Sequence, residues 1–125
     1  MHRTPAEIPT RPFGKTGQRI SCIGLGGWHL GVPESDEAAI RLVHTAIAAG
    51  VTFLDNAWDY NDGLSEERMG RAIADRRDKL FLMTKVCTHG RDAKVAMRQL
   101  EDSLRRLRTD YLDLWQIHEV VFDDE

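Results

Sequence analysis

Four polar residues stand at or just past the downstream ends of successive apolar runs: Asp55, Tyr60, Lys85 and His118. They supply an acid, a phenol, an amine and an imidazole. Carbonyl reduction by hydride transfer needs a proton donor tuned by a cation, and these groups could build one. A phenol with a reference pKa of about 10 gives up its proton reluctantly at neutral pH. A neighbouring ammonium favours the phenolate and eases that transfer. A lysine that is partly withdrawn from water needs a carboxylate partner to stay charged, and Asp55 is the candidate. An imidazole at the last of these positions can hydrogen-bond a carbonyl oxygen and orient it.

The elements that must position these groups can be read from the spacing. A polar leader is expected over residues 1–10. Arg11-Pro12-Phe13-Gly14 and Arg19-Ile20-Ser21 flank Lys15-Thr16-Gly17-Gln18, whose Thr16-Gly17 pair is turn chemistry, so a short hairpin is expected. Strands are predicted at Cys22–Leu25, Val51–Leu54, Leu80–Thr84 and Tyr111–Ile117. The first helix has Ser35 or Asp36 as its cap, Ile40, Val43 and Ile47 as its apolar stripe, and Gly50 just past its end. In the second, Ser65 is the expected N-cap, and Leu64 and Met69 are placed as a hydrophobic staple. The third runs from about Arg91 to Arg108 with a stripe of Met97, Leu100, Leu104 and Leu107. The order β-α-β-α-β-α-β predicts right-handed crossovers and a parallel sheet. An open doubly wound sheet and a (β/α)8 barrel both fit. In a barrel, Asp55, Lys85 and His118 would emerge on one face, with Tyr60 on the loop after Asp55.

Composition narrows the function classes. Hydrophobic residues make up 42% and charged residues 30% of the 125 residues, a normal globular balance. The net charge of -3 gives no electrostatic reason to expect nucleic acid or an anionic membrane as partner. Arg105, Arg106 and Arg108 read as a solvated helix face, with Glu101 and Asp102 just before them. The two cysteines, Cys22 and Cys87, fit no metal pattern and read as buried, reduced thiols of a cytoplasmic protein. Residues 1–10 have no signal-peptide character, and no metal site is expected. The glycine cluster Gly24-Leu25-Gly26-Gly27-Trp28-His29 has His29 where a dinucleotide fingerprint needs its third glycine, and no helix opens there. Taken alone it reads first as a tight turn after a strand; the other reading is a strand end without bulky side chains, which a ligand could approach closely.

The chain resembles the aldo-keto reductases. The stretches that carry the resemblance are Ile23 to Trp28, Gly50 to Asp55 through Tyr60 and on to Ser65-Glu66-Glu67, Met83-Thr84-Lys85, and Ser103 to His118. The resemblance implies a catalytic tetrad of Asp55, Tyr60, Lys85 and His118. Tyr60 would donate the proton, Lys85 paired with Asp55 would act on Tyr60, and His118 would orient the carbonyl or share the proton relay. NADPH would supply hydride to a small-molecule aldehyde or ketone. Gly27, Trp28 and Asp55 would face the cofactor, and Trp28, Trp58 and His118 the substrate. Loop packing is the other reading of Trp58. Asn56 stands where the family commonly has a smaller residue.

The resemblance also implies a fold class. Residues 11–125 would form the first half of a (β/α)8 TIM barrel, strands one to four, after the short N-terminal β-hairpin. Such barrels take about 250 residues. The chain is therefore expected to be an N-terminal half, truncated, with little activity alone. Most groups that hold the cofactor come from the other half in this family. Two alternatives stay open. One is a non-enzymatic half-barrel that self-associates or complements a partner half through open barrel edges. The other is a ligand-binding regulatory relative without turnover.

Overall fold

The computed structural model describes residues 7–87 and 92–121. A hairpin comes first: β1 (Thr10–Pro12) pairs antiparallel with β2 (Arg19–Ser21), Arg11 opposite Ile20. Its turn closes where expected, with Phe13 N–H on Gln18 O at 2.8 Å. Most of the expected leader lies outside the described residues. Its end is structured, since Ile8 packs against the core and Thr10 opens β1.

Four parallel strands follow: β3 (Gly24–Gly26), β4 (Phe53–Asp55), β5 (Phe81–Val86) and β6 (Leu114–Ile117). They lie in the order β3-β4-β5-β6, with α1 (Asp36–Ala48), α2 (Leu64–Ile73) and α3 (Ala93–Arg106) as crossovers. Strand order that never reverses, with the right-handed crossovers general to parallel βαβ units, puts every helix on one face. A doubly wound sheet needs a reversal, so the barrel-type arrangement holds. Among the described residues no helix is long and apolar enough to cross a membrane.

The register sorts side chains by face. Gly26, Asp55, Met83 and Leu114 stand abreast across the sheet. With alternation, Phe53, Phe81, Asp55, Met83 and Lys85 share the face away from the helices. Phe81 meets Phe53 at 5.6 Å and Phe13 of the hairpin loop at 5.1 Å between ring centroids, so the hairpin covers the lower end of this face. Leu54 and Leu82 point the other way into the main core with Val43, Met69, Ile73 and Leu107. Each such leucine contributes about 2 kcal/mol through burial.

The strands begin later than the spacing predicts, for identifiable reasons. Ser21 Oγ accepts from Thr52 N–H (2.9 Å) and donates to Ile23 O (2.6 Å). That clamp bends Cys22-Ile23 and delays β3 to Gly24. At β6, Asp113 Oδ2 accepts from Leu82 N–H (2.8 Å) and pairs with Arg77 at 2.9 Å. Residues before Leu114 are thus spent on side-chain tethers.

The first helix matches its reading. Ser35 Oγ accepts from Ala38 N–H at 3.2 Å, and the N–H groups of Gly50 and Val51 close the far end on Ile47 O and Ala46 O. The second corrects its reading. Gly63 is the N-cap of α2 and Ser65 lies inside the helix, where its hydroxyl accepts from Asn61 Nδ2 at 2.9 Å. Leu64 is then the first helical residue, so the staple does not form. The expected start of α3 at Arg91 lies outside the described residues. The stripe on α3 is also corrected: Leu107 is buried, whereas Met97 is 50% exposed. The face of α3 that meets the sheet carries Gln99 and Ser103. Gln99 takes Cys87 N–H on Oε1 and gives Nε2–H to Cys87 O, both at 2.8 Å. This pair of bonds turns the polar side inward. Cys22, expected to be buried, is exposed on the Cys22-Ile23 bend, and Cys87 is half-buried.

Gly70 is where α2 crosses the end of α3. A Cβ there would overlap the Arg106 carbonyl and Leu107 backbone. Backbone cannot rotate aside. Gly70→Ala should therefore lose about 1–3 kcal/mol by overpacking, despite the helix propensity it gains. Urea unfolding measures this, and a variant as stable as the parent would contradict the close approach.

Candidate active site

Asp55 ends β4, Lys85 is the next-to-last residue of β5, His118 follows β6, and Tyr60 opens a short 3-10 turn, Tyr60–Gly63, after β4. All four reach the C-terminal rim of the sheet. Backbone bonds set the layers there. Asn56 N–H donates to Met83 O and Trp58 N–H to Lys85 O, each at 3.0 Å, while His118 N–H donates to Val86 O at 2.9 Å. These bonds carry the sheet ladder past the formal strand ends and lay the Asp55–Tyr60 loop along β5.

Lys85 is the centre of the cluster, with its side chain 11% exposed. Its Nζ forms an ion pair with Asp55 Oδ1, donates to Asn56 O at 2.9 Å, and reaches Tyr60 OH at 3.4 Å. The His118 ring meets the Tyr60 ring edge-on, 5.7 Å between centroids. His118 Nδ1 lies 3.3 Å from Asp59 Oδ1 but has no hydrogen-bond geometry with it, and is buried without another partner among the described residues. The four predicted residues thus come together as one site. Asp59 is an addition that the spacing did not single out, although an acid directly before Tyr60 was a signal available.

The residues expected to face ligands are placed as follows. Gly27 donates its N–H to Asp55 O at 2.6 Å, and the space a Cβ would need is filled by Asn56. A Cβ on Gly26 would meet open space, so the end of β3 is free for close approach. Trp28 is 49% exposed, its indole edge-on to His29 at 4.9 Å, and its carbonyl accepts from Asn61 Nδ2 at 2.6 Å. Trp58 is engaged by α3 rather than by the tetrad. Its Nε1–H donates to Asp102 Oδ2 at 3.2 Å, and the Arg106 guanidinium lies 5.5 Å from its ring centroid. The indole N–H, then Arg105, hold the Asp102 carboxyl below its usual range. Asn56 is fully buried, with Oδ1 accepting from Ala57 N–H at 2.9 Å.

Beneath the rim lies a buried polar group that sequence reasoning missed. Glu66 of α2 is fully buried. Its Oε2 accepts from Thr84 Oγ1 at 2.8 Å, and Oε1 pairs with Arg106 Nη1 at 3.1 Å. Arg106 is therefore not part of a solvated face, although Arg105 and Arg108 are exposed. The only signal was that Glu66 and Arg106 both fall inside the stretches that carry the resemblance. Burial pushes the Glu66 carboxyl up, against the pull of Ser103, Thr84 and Arg106.

A paired acid and lysine, a tyrosine and a histidine thus share the C-terminal rim of a parallel βα sheet, the rim on which (β/α)8 enzymes carry their active sites. The aldo/keto reductase family model matches residues 22–125. The chain belongs to the aldo/keto reductase family. It is 36% identical over 118 residues to aldo-keto reductase YhdN of Bacillus subtilis, covering 82% of this chain and 35% of that protein. The holo form of aldo-keto reductase AKR11C1 from Bacillus halodurans superposes with a TM-score of 0.80 at 31% identity, covering 94% of this chain and 42% of that one. An aldo-keto reductase from Klebsiella pneumoniae in complex with NADPH gives 0.75 at 37% identity, covering 80% and 36%. The chain thus spans well under half the length of these relatives, and its fold is part of a (β/α)8 barrel.

Glu66 generates a pH prediction. A raised carboxyl pKa means that the folded chain holds this proton more tightly than the unfolded one. The associated stability is full below the ordinary value of 4.5 and is lost as pH rises through the folded value. In Glu66→Gln that segment should vanish. The stability difference, parent minus variant, should fall as pH is raised across this window in urea titrations. A difference that rises instead would show that the carboxylate is favoured by the fold.

Proposed function

We propose that this chain carries the proton-donor half of an NADPH-dependent reductase of aldehydes and ketones. The observation that carries the reading is the Lys85 ammonium, which faces Asp55, Asn56 O and the Tyr60 hydroxyl at once. Tyr60 donates its proton to the carbonyl oxygen as the alcohol forms. Negative charge then left on the phenol oxygen lies beside Lys85, which stabilises it electrostatically. Asp55 holds Lys85 in place. His118, whose ring lies edge-on to that of Tyr60, orients the carbonyl beside it.

The residues present fit the nicotinamide end of the cofactor. The glycine-lined end of β3 leaves room beside Asp55, and Gly27, Trp28 and Asp55 would hold that end. The chemistry that a nicotinamide would supply there is hydride for the carbonyl carbon. Trp28 and His118 flank the substrate on this reading, and Trp58 shapes its side of the loop from beneath. The relative bound to NADPH supports the choice of cofactor.

The test is turnover by the purified chain with NADPH and 4-nitrobenzaldehyde, followed as loss of the reduced cofactor. Tyr60→Phe should lower it by a factor of about 10²–10⁴, the usual contribution of a positioned acid. Parent-like turnover in that variant would remove Tyr60 from the role. A parent with no turnover would favour a second reading, a half-barrel that associates through its edges. That reading is motivated by β3 and β6, each of which has one strand neighbour among the described residues, and by Trp115 and Ile117, which are exposed on β6. A monomer in sedimentation would count against it.

A further inference from the structure

We propose that Arg106, backed by Glu66, is the positioning residue that keeps the Tyr60 hydroxyl within reach of Lys85. This rests on the role given to Tyr60 above. Among the described residues Arg106 forms no hydrogen bond or ion pair with the four tetrad residues, but it grips the loop that carries Tyr60 on both sides. Its Nη1 donates to Trp58 O at 2.9 Å, two residues before Tyr60. Three residues after Tyr60, the guanidinium packs so closely on Gly63 that a Cβ there would collide with it. Between those points Asn61, Asp62 and Gly63 all have positive φ, at 52°, 54° and 94°. Left-handed backbone at Asn61 and Asp62 is costly and persists only when its surroundings hold it.

The same guanidinium is tied to the lysine side of the site. Glu66 takes Arg106 on one oxygen and the Thr84 hydroxyl on the other. Thr84 precedes Lys85 on β5. One buried carboxylate therefore references the loop carrying Tyr60 to the strand carrying Lys85. The Trp58 indole bond to Asp102 adds a second grip from α3 on the same loop. The 3.4 Å approach of Lys85 Nζ to Tyr60 OH leaves little slack, and small misplacements of reacting groups are expensive.

Hydrogen–deuterium exchange of the purified chain tests this without cofactor. In Arg106→Met, exchange across residues 56–63 should quicken about tenfold, the scale of one lost charge-assisted hydrogen bond, while β5 stays protected. Arg98→Met, an exposed arginine on the same helix, should change nothing. Arg106→Met strands a buried carboxylate and could unfold the chain, so Glu66→Gln/Arg106→Met is made beside it. The pair removes the stranded charge but leaves Trp58 O without its donor. Stability should recover and loop exchange should stay fast. Protection restored along with stability, or unchanged loop exchange in folded Arg106→Met, would overturn the proposal. Loss of turnover in Tyr60→Phe is independent of either result, so the two readings fail separately.

Discussion

The Lys85 ammonium has three N–H donors, and the fold places three acceptors around it: Asp55 Oδ1, Asn56 O and Tyr60 OH. A charge so withdrawn from water costs several kcal/mol unless it is paired and hydrogen-bonded. The rest of the rim follows from meeting that demand. β4 must lie beside β5 so that Asp55 can reach across. The chain after Asp55 must run along β5 so that Asn56 O and Tyr60 OH face the amine. The bonds from Asn56 N–H to Met83 O and from Trp58 N–H to Lys85 O enforce that path.

Behind the rim the helices do more than cover the sheet. The inward side of α3 is polar, with Gln99 bound to the Cys87 backbone and Arg106 paired to Glu66. Such groups are costly to bury singly and acceptable when every one finds a partner. The Glu66–Arg106 pair makes two further contacts beside the candidate site: Glu66 with Thr84, next to Lys85, and Arg106 with Trp58 O in the tyrosine loop. An apolar interface would pack as well but would not select one loop position.

Much of the site was legible because its residues interrupt apolar runs. Asp55, Lys85 and His118 each stand where alternation gives out, and parallel strands bring such ends to one rim. The first helix was legible too, since Ser35 and the apolar repeat through Ile47 are local signals. Misreadings arose where a side chain is used across the chain rather than along it. Ser21 clamps Thr52 and postpones β3. Ser65 resembles a cap but bonds Asn61, while Gly63 takes the cap position. Arg106 sits in a run of arginines that looks solvated, and its partner Glu66 lies on another helix.

By itself the sequence determined the alternation of strands and helices, the chemistry at the strand ends and the family to which the chain belongs. These depend on periodicity and on residue type at each position, which are local properties. Only the tertiary structure decided that Trp58 turns toward α3, that Cys22 is exposed, that Met97 lies outside the core, and that a buried carboxylate joins the tyrosine loop to the lysine strand. The physical reason is common to all four. Which face of an element is buried, and which polar groups must be paired there, depends on what packs against it from elsewhere in the chain.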